Sequence, residues 1–451
     1  MAQKPKLTVA GYRGIWGQDL DEEIAFSFAL AFIQMIRARG GTKILVGRDA
    51  RKTGPQILGA IAAACKSANI AYEYAGILPT PSMMLLTKKL GFDGGIIITA
   101  SHNPPEYNGL KFILGTGLFA DQQEVDEMEK RRQELAITYP GSSPLSPETD
   151  NAEFRKIHLQ EILKNVDVEL IRSKKFKVAH DPINSAGAII TRELFTELGC
   201  EVFQINGEQT GDFTHMPEPL AINLGQLAEA VKNSGAAVGF AQDPDADRLV
   251  IANERGEILN EEYTLALAVK NIAGRQKTDV VINMSTSRMN EDIVAEGGGQ
   301  AYRTKVGEAN VVAKMLEVGA QIGGEGGGGV ICPAMTCSRD SLAGIALTLE
   351  LIAKEDKPLS KIIESLPEYF MQKDKFTFEG DIPALYARLK ERFKDARLDT
   401  LDGVRFDFTD DSWIHIRSSN TEPILRIIGE ANALKRIEEL FATVRLTLKG
   451  E

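Results

Sequence analysis

The chain reads as an α/β protein in which three similar α/β domains are followed by a C-terminal α+β domain. Two features predict this. A unit of strand, polar loop, helix and strand recurs three times, and each copy is followed by a short apolar strand that runs into a loop of small or reactive residues. Residues 370–451 change character, to strands flanked by two helices. A length of 451 residues agrees, because it exceeds what one ordinary core fills.

The first copy opens with a helix over 21–40. Ile24, Phe28, Ala31, Phe32, Met35 and Ile36 recur at helical spacing, acids lead and Gly40 closes. A strand over 43–46 ends in Gly47-Arg48-Asp49, a helix covers 55–68, and a short strand ends at Gly76 before Leu78-Pro79-Thr80-Pro81. The second copy runs from a strand at 176–179 through a polar loop over 180–187 and a helix ending at Leu198 to a strand at 201–205. The third runs from 279–283 through a helix near 290–295 to 301–303 and Gly307.

After the copies come strands at 95–98, 237–240 and 321–323. Their loops are Thr99-Ala100-Ser101-His102-Asn103-Pro104, Asp243-Pro244-Asp245-Ala246-Asp247-Arg248 and Gly324-Glu325-Gly326-Gly327-Gly328-Gly329. In open α/β sheets ligands bind at such strand ends. The tail gives strands at 375–378, 404–408 and 412–416 with helices at 382–393 and 434–448. Residues 139–147 read as a surface connection and 366–374 as a flexible join. The expected domains are 1–150, 151–255, 256–368 and 369–451.

A net charge of −11 argues against nucleic acid and anionic membranes as partners, while leaving room for a local basic pocket. No apolar run approaches the ~18 residues of a membrane span, and the first residues lack a signal-peptide core. Cys65, Cys200, Cys332 and Cys337 are scattered, which reads as thiols in a reducing cytoplasm; Cys332 and Cys337 lack the second pair a metal site needs.

Asp243, Asp245 and Asp247 alternate with Pro244 and Ala246. Alternate residues of an extended loop point the same way, so three carboxylates converge and repel unless a cation neutralises them. Mg2+ takes oxygen ligands and leaves places for phosphate oxygens. Arg248 adds a fixed positive charge beside them. The competing reading is a solvated acidic turn. Calcium is disfavoured, since the glycine and distant glutamate of an EF-hand loop are missing.

Ser101 offers a hydroxyl able to carry a phosphoryl group, with His102 and Asn103 placed to hydrogen-bond its oxygens; a helix cap or plain turn uses the same residues. Lys111 is a proton shuttle if neighbouring cations depress its pKa, and otherwise an ordinary exposed lysine. Glu325 can accept hydrogen bonds from two vicinal sugar hydroxyls while the glycines admit the ligand; the alternative is an incidental acid in a flexible loop. Arg417-Ser418-Ser419-Asn420-Thr421-Glu422-Pro423, with Arg426, combines guanidinium, hydroxyl and amide groups suited to wrapping a phosphate, or makes a polar hairpin.

In this order the four loops resemble the α-D-phosphohexomutase family over nearly the whole chain. Loops 99–104 and 243–248 are the specific parts, and 417–426 is close to the family pattern. Weaker echoes lie in Arg13-Gly14, Gly47-Arg48-Asp49, Pro79-Thr80-Pro81, Pro217-Glu218-Pro219 and Arg303-Thr304-Lys305-Val306-Gly307. The resemblance implies three α/β domains with mixed sheets and a closing fourth domain around a central cleft. It implies that phosphorylated Ser101 donates its phosphoryl to a hexose 1- or 6-phosphate, giving a bisphosphate that turns over and returns its other phosphoryl. Mg2+ would be held by Asp243, Asp245, Asp247 and the Ser101 phosphate. Arg417, Ser418, Ser419, Asn420, Thr421, Arg426 and Lys305 would hold the non-reacting phosphate, and Glu325 and Gly327 would line the sugar. Arg13, His102, Lys111 and Arg248 would serve proton transfer or phosphate stabilisation. A hexose 1,6-bisphosphate activator and a cytoplasmic monomer or homodimer are further implications.

Two departures matter. Gly327 and Gly329 stand where many members carry serine and histidine, as in an archaeal-like branch, and Pro244 replaces a usual glycine. The first tilts the expected substrate to glucosamine phosphate, with glucose or mannose phosphate next, and leaves the acid/base group open. It also motivates a reading of another class, a non-catalytic sugar-phosphate binding paralogue. A phosphatase or bisphosphate synthase would use the same phosphoserine.

Overall fold

The structure, a computed structural model, describes residues 6–136, 138–143, 151–378, 380–418 and 424–449. It divides into two compact units, Lys4–Asn271 with Gly327–Ile362, and Ile272–Gly326 with Ile363–Glu451.

In the first unit, β1 (Tyr12–Ile15), β2 (Lys43–Arg48), β3 (Ala71–Ile77), β4 (Gly94–Ile98) and β5 (Tyr107–Leu114) form one sheet in the order β1-β5-β4-β2-β3. β2 is parallel to β3 and β4, and β5 returns antiparallel to β4. A second sheet repeats the plan. β6 (Lys177–Asp181) is parallel to β7 (Glu201–Gln204) and β8 (Val238–Gln242), and β9 (Leu249–Asn253) returns antiparallel to β8. β4 and β8 are buried at every position, as expected of strands covered on both faces.

Local chemistry explains the flanking helices. Helix Glu22–Ala38 starts where the Asp21 carboxylate accepts the Ile24 N–H at 2.8 Å, with Glu22 and Glu23 favouring the positive end of the helix dipole. Its Phe28, Phe32 and Ile33 pack with Ile44, Val46, Ile96 and Ile98 of the sheet. Helix Gly54–Ala68 has Pro55 in its first turn and ends on Asn69 in the left-handed region at φ 51°.

The second unit holds the third copy, with β10 (Val280–Asn283) parallel to β11 (Ala301–Thr304) and β12 (Ile322–Glu325). β13 (Gly329–Cys332) and β14 (Thr336–Arg339) form an antiparallel hairpin belonging to the first unit. The α+β domain, in the second unit, contains β15 (Phe370–Thr377), β16 (Arg397–Asp399), β17 (Val404–Asp407), β18 (Trp413–Ser418) and β19 (Ile424–Ala431). They form an antiparallel sheet in the order β15-β19-β18-β17-β16. Helices Ile382–Arg392 and Leu434–Lys449 cover it through Leu385, Leu389, Ile437, Phe441 and Val444.

Three expectations need correction. Residues 366–374 are not a free join, because β15 begins at Phe370 and pairs with β19 along its length. β19 itself was not expected; Arg426 and the Ile427-Ile428 doublet blur its alternation, yet Leu425 and Ile427 are buried between half-buried neighbours. Glu325 ends β12 and Gly329 opens β13, so the glycine loop is confined to 326–328. Of the expected surface connection, 144–147 lie outside the described residues. None of the four cysteines is in a disulfide, and burial pushes the Cys65 and Cys200 thiols up to about 12. Among the described residues no helix is long and apolar enough to cross a membrane.

Two histidines link the cores to pH. His180 on β6 is fully buried, its Nε2 2.8 Å from Gln242 Oε1, and burial pushes its pKa down to about 4. Burial pushes His415 on β18 down to about 4 as well. The unfolded chain takes these protons near pH 6.5 and the native state only near pH 4, so stability is lost as pH falls through that window. The unfolding free energy in urea should decline across it by up to about 3 kcal/mol per histidine. His180→Gln should remove its share; parallel curves for variant and parent would exclude His180 as a source.

Candidate active site

β4 delivers the serine. Beyond its last residue the chain turns, and Ser101, fully buried, stands in the left-handed region at φ 49°. Such backbone costs on the order of 1 kcal/mol or more and persists only when its surroundings over-determine it. Arg51 supplies that constraint. Its buried guanidinium donates to the carbonyls of Ser101 and Asn103 at 2.6 Å, Pro104 at 2.7 Å and Tyr107 at 2.9 Å. Asp49 accepts from Arg51 Nε at 3.2 Å and from Thr99 Oγ1 at 2.7 Å, and Thr99 Oγ1 in turn accepts the Ser101 N–H at 2.9 Å. Burial pushes the Asp49 carboxyl up, against the pull of Arg51.

β8 delivers the carboxylates. Asp243, Asp245 and Asp247 are fully buried, and each offers an oxygen within 4.8 Å of the others. Among the described residues they are the only such group of three. Asp243 Oδ1 accepts the N–H groups of Asp247 and Arg248 at 3.1 Å, and its Oδ2 accepts from Ser101 Oγ at 2.8 Å. Asp245 Oδ2 accepts from Thr80 Oγ1 at 2.5 Å and Lys111 Nζ at 2.6 Å. Asp247 Oδ2 accepts from Arg339 Nη2 at 2.6 Å and Lys111 Nζ at 3.4 Å. Asp245 Oδ1 and Asp247 Oδ1 are buried without a partner. Two bare carboxylate oxygens beside a third carboxylate are the donor set a hard divalent cation takes, so these residues fit such an ion.

The charges separate the three acids. Burial, then Asp245 and Asp247, push the Asp243 carboxyl well above the usual range. Burial also raises Asp245, but Lys111 and Thr80 bring it below the usual range. Asp247 is likewise raised by burial and held below the usual range by Arg339, Lys111 and Arg248.

The expected cations gather here. Lys111 sits on β5 opposite Ile97, only 3% exposed, and so is not an ordinary surface lysine. Arg13 on β1 donates to Asn103 Oδ1 at 2.9 Å. Arg248 Nε lies 4.0 Å from Asp247 Oδ1. His102 Nδ1 is 3.3 Å from Ser101 Oγ; burial first, then Arg248 and Arg13, push its pKa well below the ordinary histidine value, leaving the ring neutral. A Cβ on Gly327 would stand in ordinary van der Waals contact with Arg248, its nearest atom Nη1 at 3.8 Å, without a clash.

The second unit carries the other expected residues. Glu325 is 8% exposed, and its Oε1 accepts from Asn283 Nδ2 and the Gly307 N–H at 2.9 Å. Arg417 on β18 is the register partner of Arg426 on β19, and Ser418 that of Leu425. Burial lowers the Arg417 pKa, with Asp402 opposing and Arg426 reinforcing the shift, so two guanidinium groups share one patch. Lys305, just beyond β11, is exposed. Ser419, Asn420 and Thr421 lie outside the described residues.

The chain matches, in order, four domain families of phosphoglucomutase/phosphomannomutase: alpha/beta/alpha domain I over 4–136, domain II over 156–256, domain III over 260–370 and the C-terminal domain over 375–447. It belongs to the phosphoglucomutase/phosphomannomutase family. A phosphoglucomutase/phosphomannomutase from Thermococcus kodakarensis is 35% identical, over 95% of each chain. A phosphoglucosamine/phosphogalactosamine mutase from Sulfurisphaera tokodaii is 32% identical, over 95% of this chain and 98% of its own. A crystal structure of a family protein from Burkholderia thailandensis superposes with a TM-score of 0.85 at 27% identity, over 100% of this chain and 98% of that one.

Within this phosphohexomutase fold, three residues that touch the site were not predicted as site residues. Thr80 lies in the Pro79-Thr80-Pro81 echo, and nothing in that tripeptide points to Asp245. Arg51 follows Asp49 by two positions, the one local signal it carries. Arg339 has no local signal, because only folding brings it to Asp247. Arg51→Lys keeps a charge but cannot span four carbonyls. Amide exchange in 101–107 should then quicken by tenfold or more, with β2 and β4 unchanged; an unaltered loop would remove Arg51 from this role.

Proposed function

We propose that the chain interconverts hexose 1-phosphate and hexose 6-phosphate through phosphorylated Ser101 and a bisphosphorylated sugar, with glucosamine phosphate as its hexose. The observation that carries this reading is the hydrogen bond from Ser101 Oγ to Asp243 Oδ2, beside two buried carboxylates whose second oxygens are bare. Membership of a mutase family supplies the reaction class.

In the forward step the phosphoryl group passes from Ser101 Oγ to the free sugar hydroxyl. The P–Oγ bond breaks, a P–O bond to the sugar forms, and the hydroxyl proton leaves. In the second step the sugar's other phosphoryl returns to Ser101 Oγ, and the proton goes back to the sugar oxygen that is released. Asp243, Asp245 and Asp247 would hold Mg2+, which supplies charge neutralisation for the transferring group. Arg13 and Arg248 add fixed positive charge for phosphate oxygens. Neutral His102 stands close enough to Ser101 Oγ to hydrogen-bond it, and Lys111 beside Asp245 is placed for proton transfer.

In the second unit, Arg417 and Arg426, with Lys305, Ser418, Ser419, Asn420 and Thr421, would bind the non-reacting phosphate, and Glu325 the sugar hydroxyls. A hexose 1,6-bisphosphate would reload Ser101 when the serine has lost its phosphoryl. Glucosamine phosphate is favoured over glucose and mannose phosphates by the sugar loop without serine and histidine and by the amino-sugar relative above.

The test is intact-mass measurement with a substrate panel. Incubation with glucose 1,6-bisphosphate should add one phosphoryl group, which Ser101→Ala cannot take, and glucosamine 6-phosphate should discharge it fastest. Failure of the phosphorylated protein to turn over glucosamine, glucose or mannose phosphate would refute the reading. Asp245→Asn should weaken Mg2+ binding by roughly tenfold or more in calorimetry; unchanged affinity would remove the triad from the metal.

A further inference from the structure

The hairpin β13–β14 opens on Gly329 and closes on Arg339, which pairs with Ile331 two residues beyond the glycine. The arginine stem runs directly over the glycine. A Cβ at Gly329 would overlap Arg339 Cδ and stand 2.9 Å from its Cγ. Side-chain flexibility makes the arginine the partner that gives way, so any side chain at 329 displaces Arg339. With glycine there, the Arg339 side chain, 15% exposed, brings Nη2 to 2.6 Å from Asp247 Oδ2.

The base of this arginine is fixed. Asp340 caps helix Ser341–Glu355 by accepting the Leu342 N–H at 2.9 Å, and its Oδ2 lies 2.8 Å from His158 Nε2. Ser341 Oγ donates to the Ala246 carbonyl, between Asp245 and Asp247, at 2.6 Å. The Ser341 N–H also donates to the Ala246 carbonyl at 3.4 Å, so the chain next to Arg339 is tied directly to the aspartate loop.

We propose that Gly329 and Arg339 act as one positioning pair, in which the glycine makes room for the arginine and the arginine holds Asp247 by Oδ2 so that Oδ1 stays free for a divalent cation. Outer groups that orient a ligating carboxylate govern metal affinity nearly as much as the ligand itself. The pair assigns a purpose to the departure at position 329: the space is used by a cation that approaches from the next strand. The proposal rests on the reading of the three aspartates as a metal site.

The experiment is titration of Mn2+ alone into the full chain, followed by calorimetry, for the parent, Arg339→Ala, Arg339→Lys, Gly329→Ala and the Gly329→Ala/Arg339→Ala double variant. Thermal unfolding checks that each is folded. Arg339→Ala should weaken Mn2+ binding by roughly tenfold or more. Gly329→Ala, which changes no charge, should weaken it similarly, and the double variant should bind no worse than Arg339→Ala. Unchanged or tighter binding in Arg339→Ala, or losses that add in the double variant, would overturn the pair. Should Arg339→Ala not fold, Arg339→Lys and Gly329→Ala carry the same comparison. A parent chain that binds no Mn2+ would also overturn it. A parent that binds Mn2+ with the expected pattern but turns over no hexose phosphate would refute the mutase reading and leave the pair standing.

Discussion

Three carboxylates buried within a few ångströms of one another set the terms for the rest of this site. Two unit charges 4 Å apart repel by about 4 kcal/mol at the effective dielectric of a protein, and burial adds a desolvation cost to each. The fold meets this by unequal treatment. Asp243 has its pKa pushed up and is engaged by the serine hydroxyl and two backbone amides, while Asp245 and Asp247 are held ionised by Lys111 and Arg339. Lys111 and Arg339 hydrogen-bond the Oδ2 atoms, and Asp245 Oδ1 and Asp247 Oδ1 are left without a hydrogen bond, with Arg248 Nε 4.0 Å from the latter. A lysine buried in the middle of a sheet makes sense only in this company.

The repeated topology accounts for how the serine and the acids meet. β4 and β8 occupy the same place in their sheets, third of the repeated set and followed by an antiparallel return. Their loops therefore leave equivalent sheet ends, where polar backbone is free to bind ligands. The two domains brace each other there. The Thr80 N–H donates to the Asp245 carbonyl at 2.9 Å, and Ser185 Oγ accepts from the Ala50 N–H at 3.2 Å while donating to the Pro244 carbonyl at 2.7 Å. Pro244 fits this role: its carbonyl is an acceptor in the brace, and its missing N–H is not called upon.

The serine loop and the aspartate loop also store backbone strain. Ser101 and Ala246 occupy left-handed conformations that residues with a Cβ rarely adopt. Each is held by buried hydrogen bonds: Arg51 donates to the Ser101 carbonyl, Ser341 Oγ donates to the Ala246 carbonyl, and the Asp243 carboxylate accepts the Asp247 N–H. Such conformations are kept where geometry matters to function, and here they aim one hydroxyl at one carboxylate.

What could be read from the amino acids alone were features written within a few neighbouring positions. The apolar spacing of Ile24, Phe28 and Phe32 announces a helix, the run before Thr99 announces a buried strand, and the alternation of Asp243, Asp245 and Asp247 announces converging carboxylates, because backbone periodicity translates directly into direction. The repeat, and with it three α/β domains ahead of an antiparallel tail, followed from the same signals. Partnerships across the sequence were beyond such reading. That Arg51 would hold the serine loop, that Thr80 and Lys111 would meet at Asp245, that Glu325 would end a strand and that Arg339 would use the space above Gly329 depended on which loops the sheets bring together. Those contacts are chosen by long-range packing, where a side chain's neighbours are set by the whole fold and leave no trace in the residues beside it.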